Sequence, residues 1–189
     1  MQAEIDRRRL LIGLPAAMAG LTLVSDPPQA QEAGGSSTLV AYFSRSGNTR
    51  VIALHVRRIR QAALFEIEPA IPFPEDYEQT VAQARRDIDE GHLPELAQTV
   101  EDISRYDTIY LGLPIWGMTA PSVVRAFLRA HDLSGKILHP FITHGGYGLG
   151  DSMDIIRTFA PRADVQPPFS MEADQERKTM EQVRGWLSA

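Results

Sequence analysis

The chain has 189 residues, 43% of them hydrophobic, which suits one domain with a sizeable core and room for an appendage. Its net charge of −5 is mildly acidic and argues against nucleic-acid binding, which normally uses a basic face. It contains no cysteine, so disulfides, thiolate zinc sites, iron–sulfur clusters and cysteine nucleophiles are excluded, and any redox chemistry must come from a bound cofactor.

The first residues read as an address. Arg7-Arg8-Arg9 precede Leu10 to Val24, fifteen residues that are almost all apolar or small. A basic start and a short apolar run form the layout of a secretory signal. Fifteen residues also fall short of the roughly 20 that a membrane span requires. Asp6-Arg7-Arg8-Arg9-Leu10-Leu11 resembles the twin-arginine export motif, with Asp6 where Ser or Thr is commoner and Leu10 where Phe is commoner. A Pro/Gln/Gly-rich linker covers residues 27–35. The expectation is an export signal and linker over residues 1–33, a folded domain over 34–189, a periplasmic location and no stable membrane span in the mature chain.

After the linker, Thr38 to Phe43 is a short apolar run of β-formers and reads as a buried strand. A helix is expected from Thr49, with Ile52, Val56 and Ile59 on its inner face. Leu64 to Ile67 suits a second strand, and Pro69, Pro72 and Pro74 then break the chain. Tyr77, Val81, Ala84 and Ile88 recur at helical spacing on a presumptive core face, and Gly91 suits the stop. Residues 92–105 read as a polar connection before a third strand, Thr108 to Gly112. Thr119-Ala120-Pro121 offers a hydroxyl cap and a first-turn proline for a helix whose core face is Val123, Val124, Phe127 and Leu128. A fourth strand, Ile137 to Thr143, leads into the glycine-rich stretch His144 to Gly150. Ile155, Ile156 and Phe159 mark the next helix, which Pro161 ends. A short strand near Asp164–Val165 and a final helix from about Asp174 to Leu187, with Met180, Val183 and Leu187 inward, complete the chain. This alternation specifies parallel strands joined by crossover helices: a three-layer α/β fold with a five-stranded parallel sheet and helices on both faces.

In such sheets ligands sit outside the carboxyl ends of the strands. Three loops leave those ends with unusual chemistry. Ser44-Arg45-Ser46-Gly47-Asn48-Thr49 combines three hydroxyls, an amide and a glycine just ahead of a helix, where unpaired N–H groups and the helix dipole suit a phosphate. Alone, it equally describes an ordinary helix cap. Pro114-Ile115-Trp116-Gly117-Met118-Thr119 places an indole in a loop; it suits either a planar ligand or a packed core Trp. His144-Gly145-Gly146-Tyr147-Gly148-Leu149-Gly150 has four glycines in seven residues, which suits a backbone held close to a ligand or a mobile loop. His-Gly-Gly is also similar to a lipase oxyanion loop, but the required Gly-x-Ser-x-Gly elbow is missing from the sequence. Histidines 55, 92, 131, 139 and 144 show no ligand spacing on a shared face, and only His144 falls near these loops.

Taken together, Tyr42 to Thr49 resembles the flavodoxin signature, a Ser/Thr-x-Thr-Gly-x-Thr phosphate loop after the first strand, with Ser46 keeping the hydroxyl of a common Thr. Gly112 to Trp116 and Thr143 to Gly150 are similar to the second and third loops of the flavodoxin-like oxidoreductase branch, and the likeness runs from about Thr38 to Leu187. The resemblance implies an FMN cofactor. It would place Ser44, Arg45, Ser46, Gly47, Asn48 and Thr49 around the phosphate. Pro114, Ile115, Trp116 and Gly117 would line the isoalloxazine, and His144, Gly145, Gly146 and Tyr147 would approach it from the third loop. Gly117 stands where the branch often has a second Trp, and Tyr147 where a small residue is frequent. The implied function is an FMN-dependent oxidoreductase passing electrons to a small acceptor such as a quinone. The alternatives are an exported electron carrier docking on a redox partner protein, or a flavin-free binding module. A homodimer is compatible with either, and no Gly-x-Gly-x-x-Gly nicotinamide site follows a strand.

Overall fold

The computed structural model describes residues 37–172 and 183–188. The expected export signal, Met180 and the first part of the final helix lie outside these described residues.

Four strands, β1 (Thr38–Tyr42), β2 (Ala63–Glu66), β3 (Thr108–Pro114) and β4 (Ile137–His144), run parallel in the order β2-β1-β3-β4. The fifth position is filled by two short segments. β5 (Asp164–Val165) pairs with Ile137–Leu138, and β6 (Phe169–Glu172) pairs with Phe141–His144. The sequence reading did not anticipate β6. Its separation from β5 has a simple cause: Pro167-Pro168 lie between them, and neither can donate to the ladder.

Alternate residues of each strand face opposite layers, as the pleat requires. Leu39 and Ala41 of β1 join Ile109, Leu111 and Leu113 of β3 under α3 (Ser122–Ala130) and α4 (Ser152–Phe159), where Val123, Val124, Phe127, Leu128 and Ile156 are buried. Val40 and Tyr42 face the other layer with Tyr110 and Phe141, against Ile52, Ala53 and Val56 of α1 (Asn48–Arg60) and Val183 and Leu187 of the helical residues 183–187. Gly112 is fixed by packing: a Cβ there would fall 2.2 Å from the Phe141 ring and 2.9 Å from Tyr42 Cβ.

α2 (Tyr77–Asp89) lies beside α3 with a face rotated from the expected one. Thr80, Ala84 and Asp87 are buried, whereas Tyr77 and Val81 are exposed. The buried polar groups have partners, which is what permits the rotation. The Thr80 hydroxyl donates to Pro74 O (2.7 Å) and Asp87 accepts from the Ser122 hydroxyl (3.3 Å). Ile59, expected inward on α1, is also exposed. Thr119 does not cap α3, which begins at Ser122 behind Pro121; its hydroxyl instead accepts from Arg125 Nη2 at 2.6 Å.

The connection from α2 to β3 is pinned along its length. Ala70 N–H donates to Glu95 O (2.8 Å) and Ala97 N–H to Glu68 O (2.9 Å), which ties it to the loop after β2. Val100 N–H donates to His131 Nε2 (3.0 Å), while His131 Nδ1–H donates to Phe127 O (2.8 Å). The Val100 bond requires a neutral ring, because Nε2 accepts it, and burial holds the His131 ring below its ordinary titration range. Above about pH 6.5 the ring is neutral in both folded and unfolded chains, so the bonds contribute in full. As pH falls below that value, the unfolded chain takes up the proton first and stability is lost. Burial also lowers His55 and His139, so the reading is a difference between proteins. His131→Phe is expected to lose about 1–3 kcal/mol at pH 8, from the orphaned Val100 N–H, and to show a shallower loss between pH 8 and pH 5. Urea unfolding across that range checks both.

Candidate functional site

The three loops singled out by sequence meet at the carboxyl edge of the sheet, and the structure ties them together through β4. Thr143, buried near the end of that strand, shares a 2.9 Å hydrogen bond between its Oγ1 and that of Thr49, the second residue of α1. The Thr143 carbonyl accepts from Ile115 N–H at 2.9 Å, which fixes the second loop as it leaves β3. The next residue, His144, accepts at Nδ1 from Gly146 N–H at 3.1 Å and so folds the start of the third loop back on the strand. Sequence reasoning missed Thr143. The available signal was a hydroxyl directly after the apolar run Pro140-Phe141-Ile142.

In the first loop, Gly47 adopts φ +93 and forms the cap of α1, with its N–H donated to Ser44 Oγ at 3.2 Å. The left-handed cap needs glycine. It leaves the first-turn N–H groups of Asn48, Thr49 and Arg50 without intrahelical acceptors. No carboxylate lies in that first turn, so nothing there opposes an anion. Ser46 is exposed, and Ser44 and Asn48 are partly exposed. The Arg45 side chain points away to neighbouring chain: its Nη2 donates to Glu75 O at 2.7 Å and its guanidinium lies 6.0 Å from the Tyr77 ring centre. Arg45 can therefore serve this loop through its backbone. The residues present fit a phosphate held by backbone N–H groups and short hydroxyls.

The second loop is a tight turn. Trp116 N–H donates to Thr119 O (3.0 Å) and Thr119 N–H to Trp116 O (3.1 Å), with Gly117 at φ +57 and Met118 at φ +67 between them. Two successive positive φ values make a type I′ turn. Trp116 packs edge-on against Phe43 (ring centres 5.1 Å, 79°) and Phe73 (4.9 Å, 75°), and remains partly exposed. Pro114 and Ile115 are likewise partly exposed beside it. Phe73, from the loop after β2, is a second residue that sequence did not assign to the site; it lies between three prolines and carries no local periodicity.

The third loop bears on the second. Asp151 N–H donates to Met118 O at 3.0 Å, and a Cβ on Gly150 would fall 1.7 Å from that same oxygen. Arg125 reinforces the contact, donating to Ala120 O (2.9 Å) and to the Thr119 hydroxyl, with Asp151 nearby. Gly145, Gly146 and Tyr147 are exposed, and Glu172 at the end of β6 lies against Gly146. A cavity of about 640 Å³ lies elsewhere, on the outer face of α1 around Leu54, His55 and Arg58. It shares no residue with the three loops and has none of their convergent donors, so the candidate site stays at the sheet edge.

Comparison with known proteins agrees with this fold. The family model described as Flavodoxin matches residues 37–189. A crystal structure from Bacteroides eggerthii, described as that of a provisionally assigned flavoprotein, is 28% identical, covers 80% of this chain and 95% of its own, and has a TM-score of 0.70. One from Bacteroides uniformis, described likewise, is 27% identical, covers 82% and 100%, and has a TM-score of 0.72. A flavoprotein from Lactobacillus acidophilus, crystallised in complex with FMN, shares the fold at 23% identity, covering 76% and 97% with a TM-score of 0.62. No curated protein matches the chain.

Two substitutions test how the loops are held. Thr143→Val should cost about 1–3 kcal/mol, because the Thr49 hydroxyl is left buried and unpaired. Gly150→Ala combines a positive φ with a backbone clash and should be the more damaging. Urea unfolding gives both values. Thr143→Ser, which keeps the hydroxyl, should recover most of the Thr143→Val loss.

Proposed function

The chain belongs to the flavodoxin family, and from that premise we propose that it binds FMN at this sheet edge and acts as an oxidoreductase toward a small acceptor such as a quinone. The observation that carries the cofactor assignment is the Thr143 node. It holds a helix N-terminus free of carboxylates, an indole-bearing turn and a glycine-rich loop in one frame. FMN supplies reversible one- and two-electron transfer, and the protein supplies placement and hydrogen bonding around it.

Each part of the chain then has a task. Ser44, Ser46, Gly47, Asn48 and Thr49, with the Arg45 backbone, hold the phosphate. Pro114, Ile115, Trp116 and Gly117 line the ring system, and His144, Gly145, Gly146 and Tyr147 close on it from the third loop. Gly117 is the residue assigned to N5 of the flavin. Turning the Gly117–Met118 peptide would convert the type I′ turn to type II′ and return Met118 to negative φ, while Gly117 would enter a region that only glycine occupies.

The small-acceptor reading draws support from the rim. Ile71 (82% exposed), Tyr77 (66%), Met118 (49%) and Tyr147 (81%) leave large apolar side chains in water on loops and a helix start at this edge. That rim suits an apolar, planar acceptor better than a partner docked by charge. We also propose that residues 1–33 direct export through the twin-arginine route, which carries folded proteins and so suits a cofactor inserted before transit.

Purified protein is expected to show the visible bands of an oxidised flavin. Ser46→Asp or Gly47→Glu should weaken FMN at least tenfold, about 1.4 kcal/mol, by placing a negative charge at the phosphate. Protein that is colourless and stays so with added FMN would overturn the cofactor assignment. Multiple turnovers of a quinone with NAD(P)H as the electron donor would separate an enzyme from a carrier, which exchanges electrons only with a protein partner. Fusion of residues 1–33 to a reporter should give export that is lost when Arg7 and Arg8 are both changed to Lys.

A further inference from the structure

We propose that His144 is a positioning residue whose protonation releases the third loop, making cofactor retention pH-sensitive; the proposal rests on the FMN reading above. The starting observation is the 3.1 Å bond from Gly146 N–H to His144 Nδ1. A ring nitrogen that accepts carries no hydrogen, so the ring is neutral with its hydrogen on Nε2. An imidazolium carries a hydrogen on both nitrogens. Gly146 N–H would then face Nδ1–H, donor against donor, and the bond cannot survive.

The surrounding loop leaves little alternative to movement. Its far end is anchored where Asp151 N–H meets Met118 O and where Gly150 crosses the Met118 backbone. Its near end is the strand itself. Between them Gly145, Gly146 and Tyr147 are exposed, and the His144 ring is what folds Gly146 back. Gly146 is also held at φ +97 against β6, with the place of its Cβ 3.3 Å from Glu172 Oε1.

The charged groups nearby leave the Gly146 bond to the ring alone. Glu172 ends β6 in register with His144, and its carboxylate lies against Gly146. Asp151 closes the far end of the loop near Arg125, and Arg45 of the first loop is directed to Glu75 and Tyr77. A protonated ring loses Gly146. The loop that approaches the flavin is then free to leave it.

The test uses the full chain, first without flavin. The Gly146 amide resonance and the His144 ring resonances are followed together against pH, expecting the amide to shift in step with the ring. FMN affinity is then measured by flavin fluorescence quenching through the ring's midpoint. The phosphate of FMN takes up its own second proton near pH 6, which weakens binding in the same range. The comparison is therefore with His144→Asn, which keeps an acceptor near the Nδ1 position and does not titrate. Relative to that variant, the wild type should lose up to about tenfold in affinity for each pH unit below the midpoint. An amide indifferent to the ring's titration, or a His144→Asn protein with the wild-type pH profile, would overturn the proposal. If the wild type binds no FMN at any pH, the cofactor reading fails, while the amide titration still decides whether the loop responds to His144.

Discussion

The arrangement of this sheet edge depends on one buried residue at a strand end. Thr143 is 3% exposed and sits at the register position opposite Pro114 of β3. Its Oγ1 meets Thr49, its carbonyl meets Ile115, and its successor, His144, meets Gly146. Each bond is ordinary and contributes about 1 kcal/mol net, but leaving a buried partner unmade costs more than the bond itself. The consequence is geometric. A helix start, a turn and a glycine-rich loop, far apart in sequence, are all referred to one strand end. A ligand touching all three therefore meets a frame that exists before it arrives, which lowers the ordering cost of binding.

The second loop stores strain within that frame. Met118 at φ +67 lies in a region that disfavours side chains, at a cost on the order of 1 kcal/mol. It stays there because its surroundings over-determine it. The Trp116–Thr119 pair closes the turn, Arg125 holds Thr119, and Asp151 N–H holds the Met118 carbonyl. Gly150 is the residue that lets the third loop come close enough for this. The peptide between Gly117 and Met118 is the part of the turn that these bonds do not hold. The strain is thus concentrated on the group that the functional reading assigns to the flavin.

Much of this was legible in the sequence because it rests on period and composition. The strand cores, the inner face of α3 and the three loops follow from apolar runs, helical spacing and glycine clusters, and the structure brings those loops to one edge. What was not legible depends on partners remote in sequence. The face of α2 was misread because apolar spacing pointed to Tyr77 and Val81, whereas Thr80 and Asp87 are buried with hydrogen-bond partners. Thr119 looked like a cap because its spacing to a helix is right, and only Arg125 shows where its hydroxyl goes. β6 follows Pro167-Pro168, which divide one strand position in two, and no apolar alternation before them announces it.

The first loop also shows why a phosphate placed there would need no lysine. The nearest fixed cation in the first turn of α1 is Arg50, and it is already committed. Its Nε donates to the Tyr42 hydroxyl at 3.1 Å and its Nη2 pairs with Glu66, which also accepts from Tyr42 at 2.9 Å. Burial pushes the Tyr42 phenol up to about 12, so it stays neutral and Glu66 is left to balance Arg50. The group therefore brings almost no net charge to the loop. An anion placed at Gly47–Thr49 would be held by N–H dipoles and hydroxyls, which the protein orients in advance, and not by a mobile point charge. Attraction of that kind acts at contact distance and is only weakly screened by salt, unlike long-range steering by exposed cations. In a mildly acidic chain it is the form of phosphate recognition that the remaining charges least oppose.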